Sequence, residues 1–154
     1  MKFEKVTNEF LNETFYYSTH KSGLSVVVLK KPDFKKFYAV ISAKYGSNNA
    51  EFKLKNSEEF ISIPDGTAHF LEHKMFESAD GTDAFDQFSK LGASANAYTT
   101  NNLTAYLFSC TANFRESLYA LIKFVREPYF TNENVEKERG IISEEIEMYE
   151  DDPY

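Results

Sequence analysis

The chain has a single cysteine, Cys110, in 154 residues, so no internal disulfide can support its fold. Cys110 lies in the apolar run Tyr106-Leu-Phe-Ser-Cys110, where a buried strand thiol is the expected role. Long apolar stretches are missing too. No run approaches the roughly 18 residues that a membrane-crossing helix needs, and no cleavable leader follows Met1. A cytoplasmic protein without membrane association is the expectation. Positive charge is in short supply, with 17 Lys and Arg against 24 Asp and Glu and a net charge of −7. That balance argues against nucleic acid and against an anionic membrane surface as partners. No internal repeat and no low-complexity linker is present. What remains is core material: 42% hydrophobic and 16% aromatic residues, enough for about one domain and too much for a disordered segment.

Histidine is also scarce, and that makes its placement informative. Of the three, His20 lies beside Lys21 at a turn and is expected to be a surface residue. The other two fall together in Gly66-Thr-Ala-His-Phe-Leu-Glu-His-Lys-Met-Phe76. On a helix His69 and His73 differ by roughly 40° around the axis, and Glu72 sits roughly 60° to the other side of His69. All three can face one point. Two imidazoles one turn apart suit a tetrahedral zinc, and a neighbouring carboxylate can take a proton from water held there. The order His-x-x-Glu-His inverts the commoner zincin helix. The alternative is two surface histidines and a solvated glutamate, but Phe70, Leu71 and Phe76 give the helix an apolar flank that would half-bury the trio.

Met1 to Asn12 has no regular pattern and reads as a lead-in. Thr14 to Thr19 and Leu24 to Leu29 read as a hairpin about His20-Lys-Ser-Gly23, with Val26 to Val28 suggesting a strand covered on both faces. Lys36 to Tyr45 alternates as a third strand. Glu51 to Pro64 reads as a loop, after which Asp65 or Thr67 can cap the histidine helix. A short helix is expected from a Thr82 cap to Leu91. Ser94 to Thr99 and Leu103 to Thr111 follow as strands paired about Thr100-Asn-Asn102. Asn113 and Glu116 resemble a capping box for a helix that Pro128 stops. The last helix runs from Thr131 to about Asp151, with Val135, Ile142 and Ile146 as a partial apolar stripe. This order predicts an α+β fold with a mainly antiparallel sheet and helices gathered on one face.

A zinc site with an open position needs a third protein ligand. The last helix offers Glu138 and Glu145, seven apart and so within roughly 20° of one face. Glu145 can bind metal while Glu138 supports the site from one step further out. Read singly, each is better explained as part of an acidic solvated helix with Glu133, Glu136, Glu144, Glu147, Glu150, Asp151 and Asp152. Carboxylates in the C-terminal half of a helix oppose its dipole, however, and a bound dication would offset part of that cost.

His69-Phe-Leu-Glu-His73, Leu91-Gly-Ala-Ser-Ala-Asn-Ala-Tyr-Thr99, Thr104 to Ser109 and Glu138-Arg through Glu145 together resemble the pitrilysin/insulinase family of inverted-motif zinc metallopeptidases, which includes the mitochondrial processing peptidases. The resemblance implies the LuxS/mitochondrial-processing-peptidase-like metallohydrolase fold and one Zn2+ held by His69, His73 and Glu145. It further implies Glu72 as general base, Glu138 as an accessory catalytic carboxylate, and Asn96 and Ala97 on an edge strand that receives an extended peptide substrate. Members of that family are several times longer and close around substrate as two halves. Residues 1–154 are therefore expected to be a truncated N-terminal zinc-binding catalytic domain, inactive or weakly active alone. Its partners would be the rest of the parent peptidase or a second copy paired through the same exposed surface. A zinc-bearing but catalytically silent partner subunit is the competing expectation; such subunits usually lose motif residues, and none is lost here.

Overall fold

The computed structural model describes residues 1–79, 81 and 83–150, without the side chains of residues 149 and 150. The chain divides into two compact units, Met1–Lys35 and Lys36–Tyr154.

The first unit is a three-stranded antiparallel sheet of β1 (Glu4–Asn8), β2 (Glu13–Thr19) and β3 (Ser25–Leu29), with β2 in the middle. The expected β2–β3 hairpin is present, and His20 closes its turn, accepting the Gly23 N–H on its carbonyl at 2.8 Å. The lead-in is itself a strand, a correction: Val6 pairs with Phe15, and Lys5 with Tyr16. Its polar, irregular composition hides it because burial is slight along its whole length. The valine run is not covered on both faces either, since Val27 is 61% exposed and Val28 39%.

The second unit is built on a three-stranded antiparallel sheet in the order β4 (Phe37–Ala43), β8 (Thr104–Cys110), β7 (Ala93–Thr99). Register puts Ala39, Phe108 and Ala95 in one row and Phe37, Cys110 and Ala93 in the next, all on one face because side chains alternate along a strand. That face carries the core. Helix α2 (Ala84–Lys90) adds Phe88 and helix α3 (Phe114–Arg126) adds Leu121, both 1% exposed, against a fully buried Phe108. Tyr38, Val40 and Tyr98 lie on the opposite parity and are exposed. The α+β architecture, antiparallel with helices on one face, is as the element order predicts.

Several boundaries differ from expectation for local reasons. The segment read as a loop between Glu51 and Pro64 contains a small hairpin, β5 (Glu51–Lys53) with β6 (Phe60–Ser62), whose strands are too short to show an alternation. Helix α1 (Thr67–Lys74) is entered through Gly66 at φ 81°, a left-handed conformation that glycine adopts without penalty. Neither Asp65 nor Thr67 caps it; the Thr67 hydroxyl turns back to donate to the Pro64 carbonyl at 2.6 Å. Thr82 lies outside the described residues, and Asp83 caps α2 by accepting the Phe85 N–H at 2.8 Å. The capping box at Asn113 does not form. That residue is left-handed at φ 53° and its amide instead donates to the Leu91 carbonyl at 3.0 Å, tying the start of α3 to the end of α2. Helix α4 (Asn132–Glu150) closes the unit, and its expected end at Asp151 to Pro153 lies outside the described residues. Val135 and Ile142 are half-buried on it, whereas Ile146 is 55% exposed and does not extend the stripe.

One close approach matters for the site. A Cβ at Gly46 would come within 2.3 Å of the Thr100 carbonyl oxygen, so only glycine lets the chain after β4 lie against the β7–β8 turn. Ser47 and Asn48 then donate their N–H groups to the Thr100 and Asn101 carbonyls, each at 3.0 Å. The Thr104 hydroxyl also donates to the Tyr45 carbonyl at 2.9 Å. The end of β7, including Thr99, is thereby held in place.

Candidate metal centre and active site

Helix α1 has two working faces. Ala68, Leu71 and Met75 line an apolar hollow of about 370 Å³ together with Ile41, Tyr106, Val125 and Phe130. No histidine or carboxylate lines this hollow. The other face carries Glu72 and His73, which line a smaller cleft of about 240 Å³ with Phe76, Phe85, Asn96, Ala97 and Glu138. Size therefore points to one side of the helix and chemistry to the other, and it is the smaller cleft that gathers reactive groups.

The His69 and His73 rings lie 4.6 Å apart at 90°, the arrangement expected one turn apart on a helix. Glu145 of α4 comes to them from across the site, with Oε2 3.5 Å from His73 Nε2 and 3.8 Å from His69 Nε2. The three ligand-type atoms of His69, His73 and Glu145 all lie within 4.8 Å of one another. Donor atoms on a tetrahedral zinc with bonds of about 2.0–2.2 Å sit roughly 3.3–3.6 Å apart, so the two Glu145 distances already lie near that range while the widest separation, up to 4.8 Å, would have to close by about 1 Å to hold such an ion. Two neutral nitrogens and one anionic oxygen also suit a borderline dication.

Glu138 sits behind this trio. It is only 7% exposed and takes the Nδ1 side of His73 at 3.0 Å. A carboxylate only accepts, so a ring proton on Nδ1 satisfies this contact and leaves Nε2 as the atom that faces Glu145. Burial thus separates the acidic residues of α4: Glu138 is buried and Glu145 half-buried, whereas Glu133, Glu136, Glu144 and Glu147 are exposed. Spacing alone could not make that selection.

Glu72 points along the same cleft but is tied to the sheet. The Thr99 hydroxyl donates to its Oε2 at 2.5 Å, which fixes one carboxylate oxygen. Sequence reasoning gave Thr99 no role, although it closes the quoted run from Leu91; the signal is its position at a strand end, whose destination only the fold supplies. Tyr106 lies nearby with its phenol pushed well above the ordinary tyrosine range, first by burial and then by the charge of Glu72. It is a core residue, neutral at any physiological pH.

Asn96 and Ala97 lie on β7, which pairs with β8 on one side and with no strand on the other among the described residues. The Asn96 amide oxygen accepts the Ala97 N–H at 2.8 Å. The cleft therefore has an open strand edge beside the carboxylate and the histidines. No helix among the described residues is long and apolar enough to cross a membrane.

Two histidines and a carboxylate from separate helices, with the glutamate of a His-x-x-Glu-His run beside them on an antiparallel α+β scaffold, form a group that could hold a metal ion. Residues 63–154, more than half of the chain, match the model of the insulinase family, peptidase family M16. The chain belongs to that family. It is 54% identical over 145 residues to the uncharacterized zinc protease YmfH of Bacillus subtilis strain 168, covering 94% of this chain and 34% of that protein. Its fold superposes on an M16-like peptidase from Alicyclobacillus acidocaldarius with a TM-score of 0.84 at 38% identity, over 99% of this chain and 33% of the other. Pitrilysin shares the fold, with a TM-score of 0.70 at 19% identity over 96% of this chain and 16% of its own. The chain spans about a third of the length of the relative YmfH.

Proposed function

We propose that residues 1–154 are the metal-bearing N-terminal catalytic domain of a zinc-dependent endopeptidase that cleaves extended peptides. The observation that carries this reading is the convergence of His69, His73 and Glu145, from two helices, within 4.8 Å. Relatives named as zinc proteases support it. Bound zinc supplies a Lewis acid that polarises the scissile carbonyl and makes attacking water easier to deprotonate.

The chain's own residues do the rest. Thr99 holds Glu72 Oε2, which leaves Oε1 to take the proton of the attacking water and later to return it to the leaving amine. Glu138 keeps the His73 ring oriented with Nε2 free for metal. The open side of β7 gives the substrate backbone an edge to pair with, which holds the peptide extended across the cleft. For a substrate carbonyl to reach the Ala97 N–H, the Asn96 side chain must let it go. The two thirds of the relatives' length that this chain does not span would supply the remaining walls of the site.

Removing zinc with a chelator should abolish peptide hydrolysis by the parent-length protein, and adding zinc back should restore it. Hydrolysis indifferent to the chelator would refute the reading. Glu138→Gln keeps the shape but weakens the hold on His73 Nδ1, and is expected to lower zinc affinity by about 10–100-fold. Competition against a chromogenic chelator measures it.

A further inference from the structure

Next to the ligand His73 stands a lysine that the peptidase chemistry does not use. Lys74 ends α1 and its side chain is 0% exposed. An ammonium buried without a partner is strongly unfavourable, so its pairing is informative. Its Nζ donates to Glu77 Oε2, three residues on. The other oxygen of that carboxylate, Oε1, lies 3.6 Å from Lys137 Nζ on α4. The Lys74 hydrogen bond, acting against desolvation, holds the Glu77 carboxyl below its ordinary range and so keeps it charged. The backbone beneath is anchored as well: Glu77 forms an isolated β-bridge with Asp83, and the Phe76 carbonyl accepts the Ala84 N–H at 3.1 Å.

The arrangement joins neighbours to neighbours. Glu138 of α4 reaches His73 of α1, and Lys137 reaches Lys74 through Glu77. A single contact between two helices leaves each free to pivot about it. A second contact beside the first opposes the pivot. Glu145 lies seven residues beyond Glu138, about 10.5 Å along the helix, so a 10° tilt about the Glu138 contact would move it by roughly 2 Å. That displacement is more than half of its 3.5 Å separation from His73 Nε2.

We propose that Lys74 and Glu77, together with Lys137, are positioning residues that fix α4 on α1 and so deliver Glu145 to the two histidines. The proposal rests on the zinc-site reading above. The test is zinc affinity of the chain, set beside the melting temperature of the metal-free protein. Replacing the buried lysine and its half-buried partner by apolar groups of similar shape, Lys74→Met with Glu77→Leu, strands no buried charge and should leave the metal-free melting temperature within a few degrees. It should weaken zinc binding about tenfold or more. Lys137→Met, at an exposed position, should weaken it about threefold without touching the fold, and Lys137→Arg should restore most of the loss. A folded double variant with native zinc affinity overturns the bridge. If the double variant does not fold, native affinity in Lys137→Met overturns it instead. Should the native chain take up no zinc, the metal-site reading itself fails and the bridge falls with it, an outcome distinct from both others.

Discussion

Glu72→Gln in the parent-length enzyme should lower kcat/KM for a peptide substrate by about 10²–10⁴-fold, the range expected when a positioned general base is lost. Zinc affinity should stay within about twofold. The separation follows from where each group sits. Glu72 is not one of the three atoms that converge within 4.8 Å; its carboxylate is held through Oε2 by the Thr99 hydroxyl instead. A glutamine oxygen can accept the same hydrogen bond, so the side chain should keep its place while losing its ability to take a proton. Steady-state hydrolysis of a quenched fluorescent peptide, with metal content measured on the same samples, checks both halves of the expectation. Activity within about tenfold of native would remove Glu72 from the mechanism. If native and variant proteins both bind zinc and neither cleaves, the silent-subunit reading gains and the peptidase reading loses.

How far the sequence reveals this site depends on how local each feature is. The histidine pair and Glu72 are set by helical periodicity within five residues; the structure turns Glu72 and His73 to the smaller cleft, with the His69 ring against His73, and the apolar Ala68, Leu71 and Met75 to the hollow. The hairpin of β7 and β8 is legible for the same reason, since its turn at Thr100 to Leu103 closes on itself through a 2.8 Å hydrogen bond from the Thr100 N–H to the Leu103 carbonyl. The approach of α4 is not local. Periodicity pairs Glu138 with Glu145, but only burial distinguishes them from their exposed neighbours, and burial depends on α1 lying alongside. The same limit conceals Thr99 and Lys74. Each is an ordinary residue at an element's end, whose partner lies on a different element or beyond the helix terminus. Capping rules fail for a related reason. They assume the chain enters a helix in an extended conformation, whereas α1 and α3 are both entered through left-handed residues: Gly66 has no side chain to cap with, and the Asn113 amide turns to the Leu91 carbonyl. Short strands such as β5 and β6, three residues each, carry too few positions for any period to emerge.

Glu145→Gln should raise the dissociation constant for zinc by about 100-fold or more while leaving the metal-free chain as stable as before. A carboxylate that directly binds the ion should matter at least as much as the outer partners, whose loss costs about 10–100-fold. Glu145 lies 3.5 and 3.8 Å from two imidazole nitrogens near the negative end of α4, where its charge opposes the helix dipole. Neutralising it therefore should not destabilise the empty fold, and a loss of binding cannot be attributed to unfolding. Thermal shift separates the two. At zinc 100 times the native dissociation constant the native chain gains about 2.7 kcal/mol, while a variant weakened 100-fold gains about 0.4 kcal/mol by the same relation. For a chain of this size those gains correspond to about 5–10 °C and about 1–2 °C of melting temperature. Equal zinc-induced shifts in both proteins would place the third ligand elsewhere, and with it the claim that α4 and α1 share one metal ion.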